Sequence, residues 1–337
     1  MKICHIVPSN KRCSPVFLSL RIAEGMFSKE DEIVLFYLKE ADGDVISSSK
    51  IVVKKLKITD FFQLHKYDII HSHLFRADIL NAFFSVFFRK VTISTIHSNI
   101  LQDLSSYYNN KIKVRLFAKL WMFALNRLTV RVAVSNSLAK SYRTILKPCE
   151  YICNGISLER NYNSEKKIAK VPTRLGILSR LHPGKGIEDV FKLVEKNKEI
   201  NIIIYGDGLL ADKCKVYNEK YENFIYYGYS HDISSAFSNM DIFLMPSRHE
   251  GFGMTVLEAL IHQVPVICYD LPIFREILGD GAYFYKNIDE LHQRILFYQA
   301  NYESIIDEQM TRLQFFDVEE MIRKYKQVYV QKKKDIK

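Results

Sequence analysis

Short apolar runs recur along the chain, separated by longer stretches in which apolar residues return every three or four positions. In the first half the short runs are Ile3 to Val7, Glu32 to Tyr37, Ile51 to Leu56, Asp68 to His71, Val91 to Ile96 and Val130 to Val134. They read as strands, whereas Val16 to Phe27, Arg76 to Phe88, Lys111 to Leu128 and Ser137 to Leu146 have helical spacing. The second half repeats the scheme. Its strands are Arg174 to Leu178, Asn201 to Tyr205, Phe224 to Tyr227, Asp241 to Met245 and Val264 to Cys268. Helices fit between them at Ile187 to Lys196, Leu209 to Lys220, Ile233 to Ser238 and Met254 to His262. Strands alternating with helices predict parallel sheets covered on both faces. The polar stretch Ser157 to Lys170 reads as a linker, so the expected fold is α/β, with two Rossmann-like, doubly wound domains at 1–160 and 171–317. In such sheets ligands lie beyond the carboxyl ends of the strands, where the strand order reverses. Binding motifs should therefore follow strands directly.

Length and composition agree with this picture. The 337 residues suit two domains of ordinary size, and 48% hydrophobic with 26% charged residues is globular composition. The opening run Met1 to Pro8 is too short for the apolar core of a secretory signal, and no stretch of about 18 uncharged apolar residues occurs. A cytoplasmic protein is expected. Cys4, Cys13, Cys149, Cys153, Cys214 and Cys268 show no paired CxxC spacing, so they are expected to be reduced thiols and no metal is indicated. Charge is uneven: residues 1–150 hold 23 Lys and Arg against 12 Asp and Glu, a net +11, while the remainder holds 25 against 26, a net −1. A basic half fits nucleic acid or an anionic membrane surface. Without a zinc-finger, RRM-like or KH-like signature, the membrane surface is preferred and nucleic acid is not expected.

Two motifs follow strands in the second half. Ser179-Arg180-Leu181-His182-Pro183-Gly184-Lys185-Gly186 leads straight into a helical stretch. Its glycines permit close backbone approach, a helix N-terminus favours anions, and Arg180 and Lys185 supply two cations, a combination suited to a diphosphate. A solvated loop with incidental charges is the plainer alternative. Further on, Pro246-Ser247-Arg248-His249-Glu250-Gly251-Phe252-Gly253 opens the helix Met254-Thr255-Val256-Leu257-Glu258-Ala259. Carboxylates at Glu250 and Glu258 can accept bonds from the hydroxyls of a sugar or ribose. Thr255 and Glu258 also fit a capping box, which accounts for Glu258 but not for Glu250.

In their order and separation these two motifs resemble those of the retaining glycosyltransferases of family 4, which have the GT-B fold of two Rossmann-like domains facing a cleft. Glu250 through Glu258 is similar to the family's E-x7-E pattern, and Arg180 with Lys185 to its R-x4-K pattern. The resemblance implies that Arg180 and Lys185 hold the donor pyrophosphate, Glu258 the ribose hydroxyls, and that Glu250 touches the donor sugar near the reacting carbon. It extends to Asp68 to His73, Thr95-Ile96-His97, Val134 to Ser137, Asn154-Gly155-Ile156, Gly206-Asp207-Gly208 and Gly228. On this basis His97 faces the donor sugar as a catalytic residue beside Glu250, while Gly253, Gly206 and Gly208 belong to the donor site. His73 is a further candidate. The final stretch, 318–337, is expected to pack back on the first domain.

What the resemblance implies is transfer of a sugar, with retention, from a nucleotide sugar, a UDP-sugar being expected, to a glycan or lipid-linked acceptor in bacterial surface polysaccharide synthesis. The donor is a substrate, and no separate cofactor is expected. Two departures stand out. The loop after the first strand, Pro8-Ser9-Asn10-Lys11-Arg12-Cys13-Ser14-Pro15, lacks the family's adjacent glycines, and Asp270-Leu271-Pro272-Ile273-Phe274-Arg275-Glu276 lacks a glycine pair before its proline. Lys111 to Leu128, with five cations beside Phe117, Leu120, Trp121 and Phe123, admits two readings: a helix packed on its sheet, or a basic amphipathic helix resting on anionic lipid. Phe83, Phe84, Phe87 and Phe88 before Arg89-Lys90 admit the same pair, and Lys332-Lys333-Lys334 reads as a solvated tail. Rival functions are an epimerase or phosphorylase of the same fold, or a membrane-attached protein that binds donor without turnover. A nicotinamide oxidoreductase is disfavoured, because no G-x-G-x-x-G follows the first strand.

Overall fold

The computed structural model describes the chain except residues 29, 89, 109, 159–173, 282 and 337. The chain divides into two units, Met1–Gly155 with Val318–Lys337, and Ile156–Asp317. Most of the expected linker, Ser157 to Lys170, lies outside the described residues, as does Arg89.

The first unit is built on strands β1 (Lys2–Ser9), β2 (Glu32–Lys39), β3 (Val52–Lys55), β4 (Ile69–His73), β5 (Val91–Ile96), β6 (Val130–Ala133) and β7 (Glu150–Tyr151). Helices α1 (Ser14–Gly25), α2 (Ile58–Phe61), α3 (Phe75–Phe87), α4 (Ile100–Tyr107), α5 (Lys111–Arg127) and α6 (Asn136–Tyr142) connect them. The strands form one sheet in the order β3-β2-β1-β4-β5-β6-β7, and every pair is parallel. Because helices cover both faces, the central strands are buried along their length: each residue of β4 and β5 is inaccessible or nearly so. The glycine-free loop after β1 is tied down by hydrogen bonds to the segment after β2. Asn10 accepts from the Ala41 amide at 2.8 Å, the Arg12 amide donates to Asp44, and Pro15 lies in the first turn of α1.

The second unit comprises β8 (Arg174–Leu178), β9 (Asn201–Tyr205), β10 (Phe224–Gly228), β11 (Ile242–Met245), β12 (Val266–Tyr269) and β13 (Phe284–Tyr285). Its helices are α7 (Ile187–Lys196), α8 (Ala211–Lys220), α9 (Ile233–Ser238), α10 (Met254–Ile261), α11 (Pro272–Leu278) and α12 (Ile288–Met310). The parallel sheet runs β10-β9-β8-β11-β12-β13. Progress along it reverses between β8 and β11, so the loops after these two strands are neighbours at the switch in strand order.

A last helix, α13 (Val318–Ile336), completes the first unit. It extends through Lys332-Lys333-Lys334, which is therefore helix and not the solvated tail its charge suggested. Lys333 donates to Asp68 at 2.9 Å, and Lys332 pairs with Asp335 at 3.4 Å. The buried face of α13 sends Tyr325 and Tyr329, both inaccessible, onto an unusually polar core. There His5, His71 and His73 lie at zero exposure, joined to one another, to His97 and to the two tyrosines. Burial pushes the His5 and His97 imidazoles down to about 3, and those of His71 and His73 well below their ordinary value. Nearby, the buried Asp78 carboxyl accepts from Ser72 and from the Trp121 indole at 2.7 Å each, and desolvation outweighs these bonds to push it up to about 7.

These groups dictate how stability responds to acid. The four imidazoles stay neutral in the fold but charge in the unfolded chain, so the stability they contribute above pH 6.5 is lost as pH falls from about 6.5 toward about 3. Asp78, and Glu258 of the second unit, act in the opposite sense. Their pKa values near 7 in the fold make them hold protons that the unfolded chain releases, so their contribution is lost as pH rises toward about 7. The four imidazoles outnumber the two carboxyls, so stability falls as the solution is acidified below about pH 6. Urea unfolding between pH 4.5 and 5.5 measures this slope, and a flat profile would mean that the imidazoles are charged in the folded protein.

Candidate functional site

The loops after β8 and β11 are held against each other by their backbones. The Arg248 amide donates to the Gly184 carbonyl at 3.0 Å. Gly186 adopts φ +67, and a Cβ there would collide with the Pro246 carbonyl, so only glycine allows the two chains to lie this close. Between them Pro183–Lys185 forms one 3-10 turn, with the His182 imidazole accepting from the Gly184 amide at 3.2 Å. The loop after β9 adds a third edge. Gly206, at φ +146, lies against the Ser179 carbonyl where a side chain would clash, and the Leu181 amide donates to Asp207 at 2.9 Å. Gly208 follows beside the Leu181 carbonyl. The glycines expected in the donor site thus shape the backbone around Arg180.

On this scaffold the structure brings Lys185 and Glu250 together as a partly buried ion pair. Arg180 is exposed, and its guanidinium has no partner among the described residues. Glu258 is on α10, just over one turn from Gly253, the left-handed N-cap of that helix. Its carboxyl has no hydrogen-bond partner among the described residues, and desolvation pushes it up to about 7. The capping-box reading fails here. The helix starts after Gly253 with no side-chain cap, and the Thr255 hydroxyl turns to the Met245 sulfur at 3.6 Å. Glu258 is therefore not engaged in starting its own helix.

Sequence reasoning missed the role of Arg248. Its guanidinium forms an ion pair with Asp189, in the first turn of α7, and lies 3.7 Å over the Tyr269 ring. Asp189 also accepts from the Tyr285 hydroxyl at 3.4 Å. Arg248 stood within the motif, but nothing local links it to a residue 59 positions away. In the loop after β12, Asp270 receives a two-pronged contact from Arg275 at 2.7 and 2.9 Å, with Lys286 at 3.5 Å. These cations hold its carboxyl below its usual range. The position without the expected glycine pair is thus an ionic cluster.

The remaining predicted residues belong to the first unit. His97 follows β5 and is half-buried, with its Nε2 3.1 Å from His73 Nδ1. His73 is wholly internal, so it supports His97 and is closed to solvent. In α5, Trp121 is buried against Asp78 and Phe75, along with Val114, Ala118, Ala124 and Leu125. Its tryptophan therefore belongs to the core and does not face lipid. The opposite side of α5 leaves Ile112, Leu116, Leu120 and Phe123 exposed among Lys111, Lys113, Arg115, Lys119 and Arg127. No helix of the described residues is long and apolar enough to cross a membrane.

Residues 48–160 match the model of Glycosyltransferase Family 4, and residues 159–310 that of Glycosyl transferases group 1. The O-antigen biosynthesis glycosyltransferase WclY of Escherichia coli is 31% identical over 299 residues, covering 82% of each chain. The alpha-galactosylglucosyldiacylglycerol synthase of Streptococcus pneumoniae is 28% identical over 170 residues, 45% of this chain and 46% of that one. In fold, the chain is similar to Anabaena HepE, crystallised with UDP-glucose, at a TM-score of 0.80 and 16% identity, covering 98% of this chain and 100% of the other. With two Rossmann-like parallel-sheet units and both regions of the family in order, the chain belongs to the GT-B glycosyltransferases of family 4, group 1.

Proposed function

We propose that the protein transfers a sugar, with retention, from a UDP-sugar to a glycan or lipid-linked acceptor in bacterial surface polysaccharide synthesis. The observation that carries the donor site is the Lys185–Glu250 ion pair between the loops after β8 and β11, the switch point of the second sheet, with Glu258 on the helix that the second loop opens. The relatives support the wider setting: WclY is named for O-antigen biosynthesis, and HepE was crystallised with UDP-glucose. In this reading Arg180 and Lys185 bind the diphosphate and offset the charge that develops on it as the glycosidic bond breaks, with no metal invoked. Lys185 then exchanges its contact with Glu250 for phosphate oxygens, freeing the Glu250 carboxylate to meet the sugar. Glu258 accepts from the ribose hydroxyls, and Gly253, Gly206 and Gly208 keep the backbone close to the ligand. His97 hydrogen-bonds the donor sugar. The enzyme works on the cytoplasmic face of the membrane.

The outer face of α5 supports a peripheral contact with that membrane. Its exposed apolar residues are interleaved with five cations, and the helix carries no acidic residue. The exposed Phe83, Val86 and Phe87 of α3 extend the apolar surface. Apolar side chains enter the boundary of the acyl region while each cation near an anionic surface adds about 1 kcal/mol.

Three outcomes are expected. Incubated with a panel of UDP-, GDP- and ADP-sugars, the protein slowly releases nucleotide from one UDP-sugar, and Glu258→Ala and Arg180→Ala each lower that release at least tenfold. Binding without release in the intact protein would favour a non-catalytic donor-binding protein instead. Affinity for that donor rises with pH up to about 7 and then levels, because ribose hydroxyls need the ionised Glu258 carboxylate and a proton must leave it below that pH. Calorimetry from pH 5.5 to 8 reads this, and Glu258→Gln removes the slope. Vesicles rich in phosphatidylglycerol carry the protein in flotation whereas neutral vesicles do not. Replacing Leu116 and Phe123 together by Asp weakens that association at least tenfold, and equal flotation of both proteins would sink the α5 surface.

A further inference from the structure

Seven side chains of the first unit are joined end to end by hydrogen bonds. Tyr325 Oη is 2.9 Å from Thr95 Oγ1, which is 2.8 Å from His71 Nε2. His71 Nδ1 is 2.5 Å from Tyr329 Oη, itself 3.2 Å from His5 Nε2. His5 Nδ1 is 3.2 Å from His73 Nε2, and His73 Nδ1 is 3.1 Å from His97 Nε2. The first six are buried, and only His97 is partly accessible, with no partner for its Nδ1 among the described residues. His5, His71 and His73 are also close enough to share a cation, but each of their ring nitrogens already has a partner in this line.

A neutral imidazole donates through one nitrogen and accepts through the other, and a hydroxyl has one proton to donate. The line can therefore be satisfied throughout only if every proton points the same way. If all point toward Tyr325, its phenol hydrogen is left without an acceptor, because Thr95 is its partner and would be donating. If all point toward His97, Tyr325 donates to Thr95, Thr95 to His71 Nε2, and His71 Nδ1 to Tyr329. Tyr329 then donates to His5 Nε2, His5 Nδ1 to His73 Nε2, and His73 Nδ1 to His97 Nε2. A buried donor left without a partner shifts such a choice by on the order of tenfold or more.

We propose that this line is polarised toward His97, fixing it as the tautomer with its proton on Nδ1, the nitrogen left to a ligand. His97 is then a ready-made donor to a sugar oxygen. Tyr325, Thr95, His71, Tyr329, His5 and His73 are positioning residues that act through it. The consequence for donor binding rests on the assignment of His97 to the donor sugar; the tautomer itself does not.

Long-range proton–nitrogen NMR on the nitrogen-15-labelled protein at pH 7.5 reads the tautomer without any ligand. The expected spectrum assigns His97 a protonated Nδ1 and a bare Nε2. Tyr329→Phe, which removes the hydroxyl that orients His5, His73 and His97, moves both nitrogens toward intermediate shifts. Thr95→Val does the same, while Thr95→Ser, which keeps the hydroxyl, restores the original spectrum; melting temperatures verify that each variant is folded. A wild-type His97 protonated on Nε2, or shifts unmoved in both Tyr329→Phe and Thr95→Val, overturns the proposal. Donor binding should weaken by about twofold to tenfold in those two variants as the competent tautomer is depopulated. A changed tautomer with unchanged binding would support the polarised line while removing His97 from the donor site.

Discussion

The close approach of two backbones at the ends of β8 and β11 governs the second unit. Neither Gly186 nor the bond from the Arg248 amide to Gly184 would survive a side chain between these loops, and both motifs depend on that spacing. It lets Lys185, at the end of one loop, reach Glu250 in the middle of the other. Because the strand order reverses between β8 and β11, the loops after them are neighbours, and the charged residues of both loops collect there. The Arg248 pair with Asp189 fastens the second loop to α7, so the juxtaposition of the two loops is braced from both sides.

Within that frame the two carboxylates are in opposite states. Glu250 is neutralised by a lysine at hand, whereas the half-buried Glu258 is desolvated with no hydrogen-bond partner among the described residues. A buried carboxyl without a partner costs stability unless it takes up a proton or a ligand supplies donors. Glu258 is thus a position where folding alone gains nothing. Arg180 on the neighbouring loop, without a partner among the described residues, is cheaper to maintain, since its guanidinium remains in water.

Much of this was legible along the chain because burial on both faces leaves a strong mark. The runs read as Val91 to Ile96, Arg174 to Leu178 and Asn201 to Tyr205 are strands with those same ends. Strands of two residues, such as β7 and β13, left no pattern long enough to see, and α12 was missed because its polar surface and the kink at Asn301 blur a single period. At the site, the resemblance assigned Lys185 and Glu250 to one donor site, but their ion pair and the contact of Arg248 with Asp189 are made only by tertiary folding. The Thr255 capping pattern misled for a related reason. A left-handed glycine set the helix start two residues earlier, and the local rule had no access to that backbone turn.

The histidines show the same limit in a stronger form. His71 and His73, two residues apart on β4, share one face of the strand, and because the sheet is covered on both faces both are buried. What makes that burial tolerable is α13, which brings two tyrosine hydroxyls from the far end of the sequence onto the imidazoles. Had the core needed only apolar filling, leucines there would have served without any hydrogen-bond accounting. Keeping a line of polar groups in the interior requires every proton along it to be placed, and a line with one buried end and one accessible end delivers that order to the accessible one. The polar core of the first unit is therefore understood through His97, where it emerges, more than through the stability it contributes.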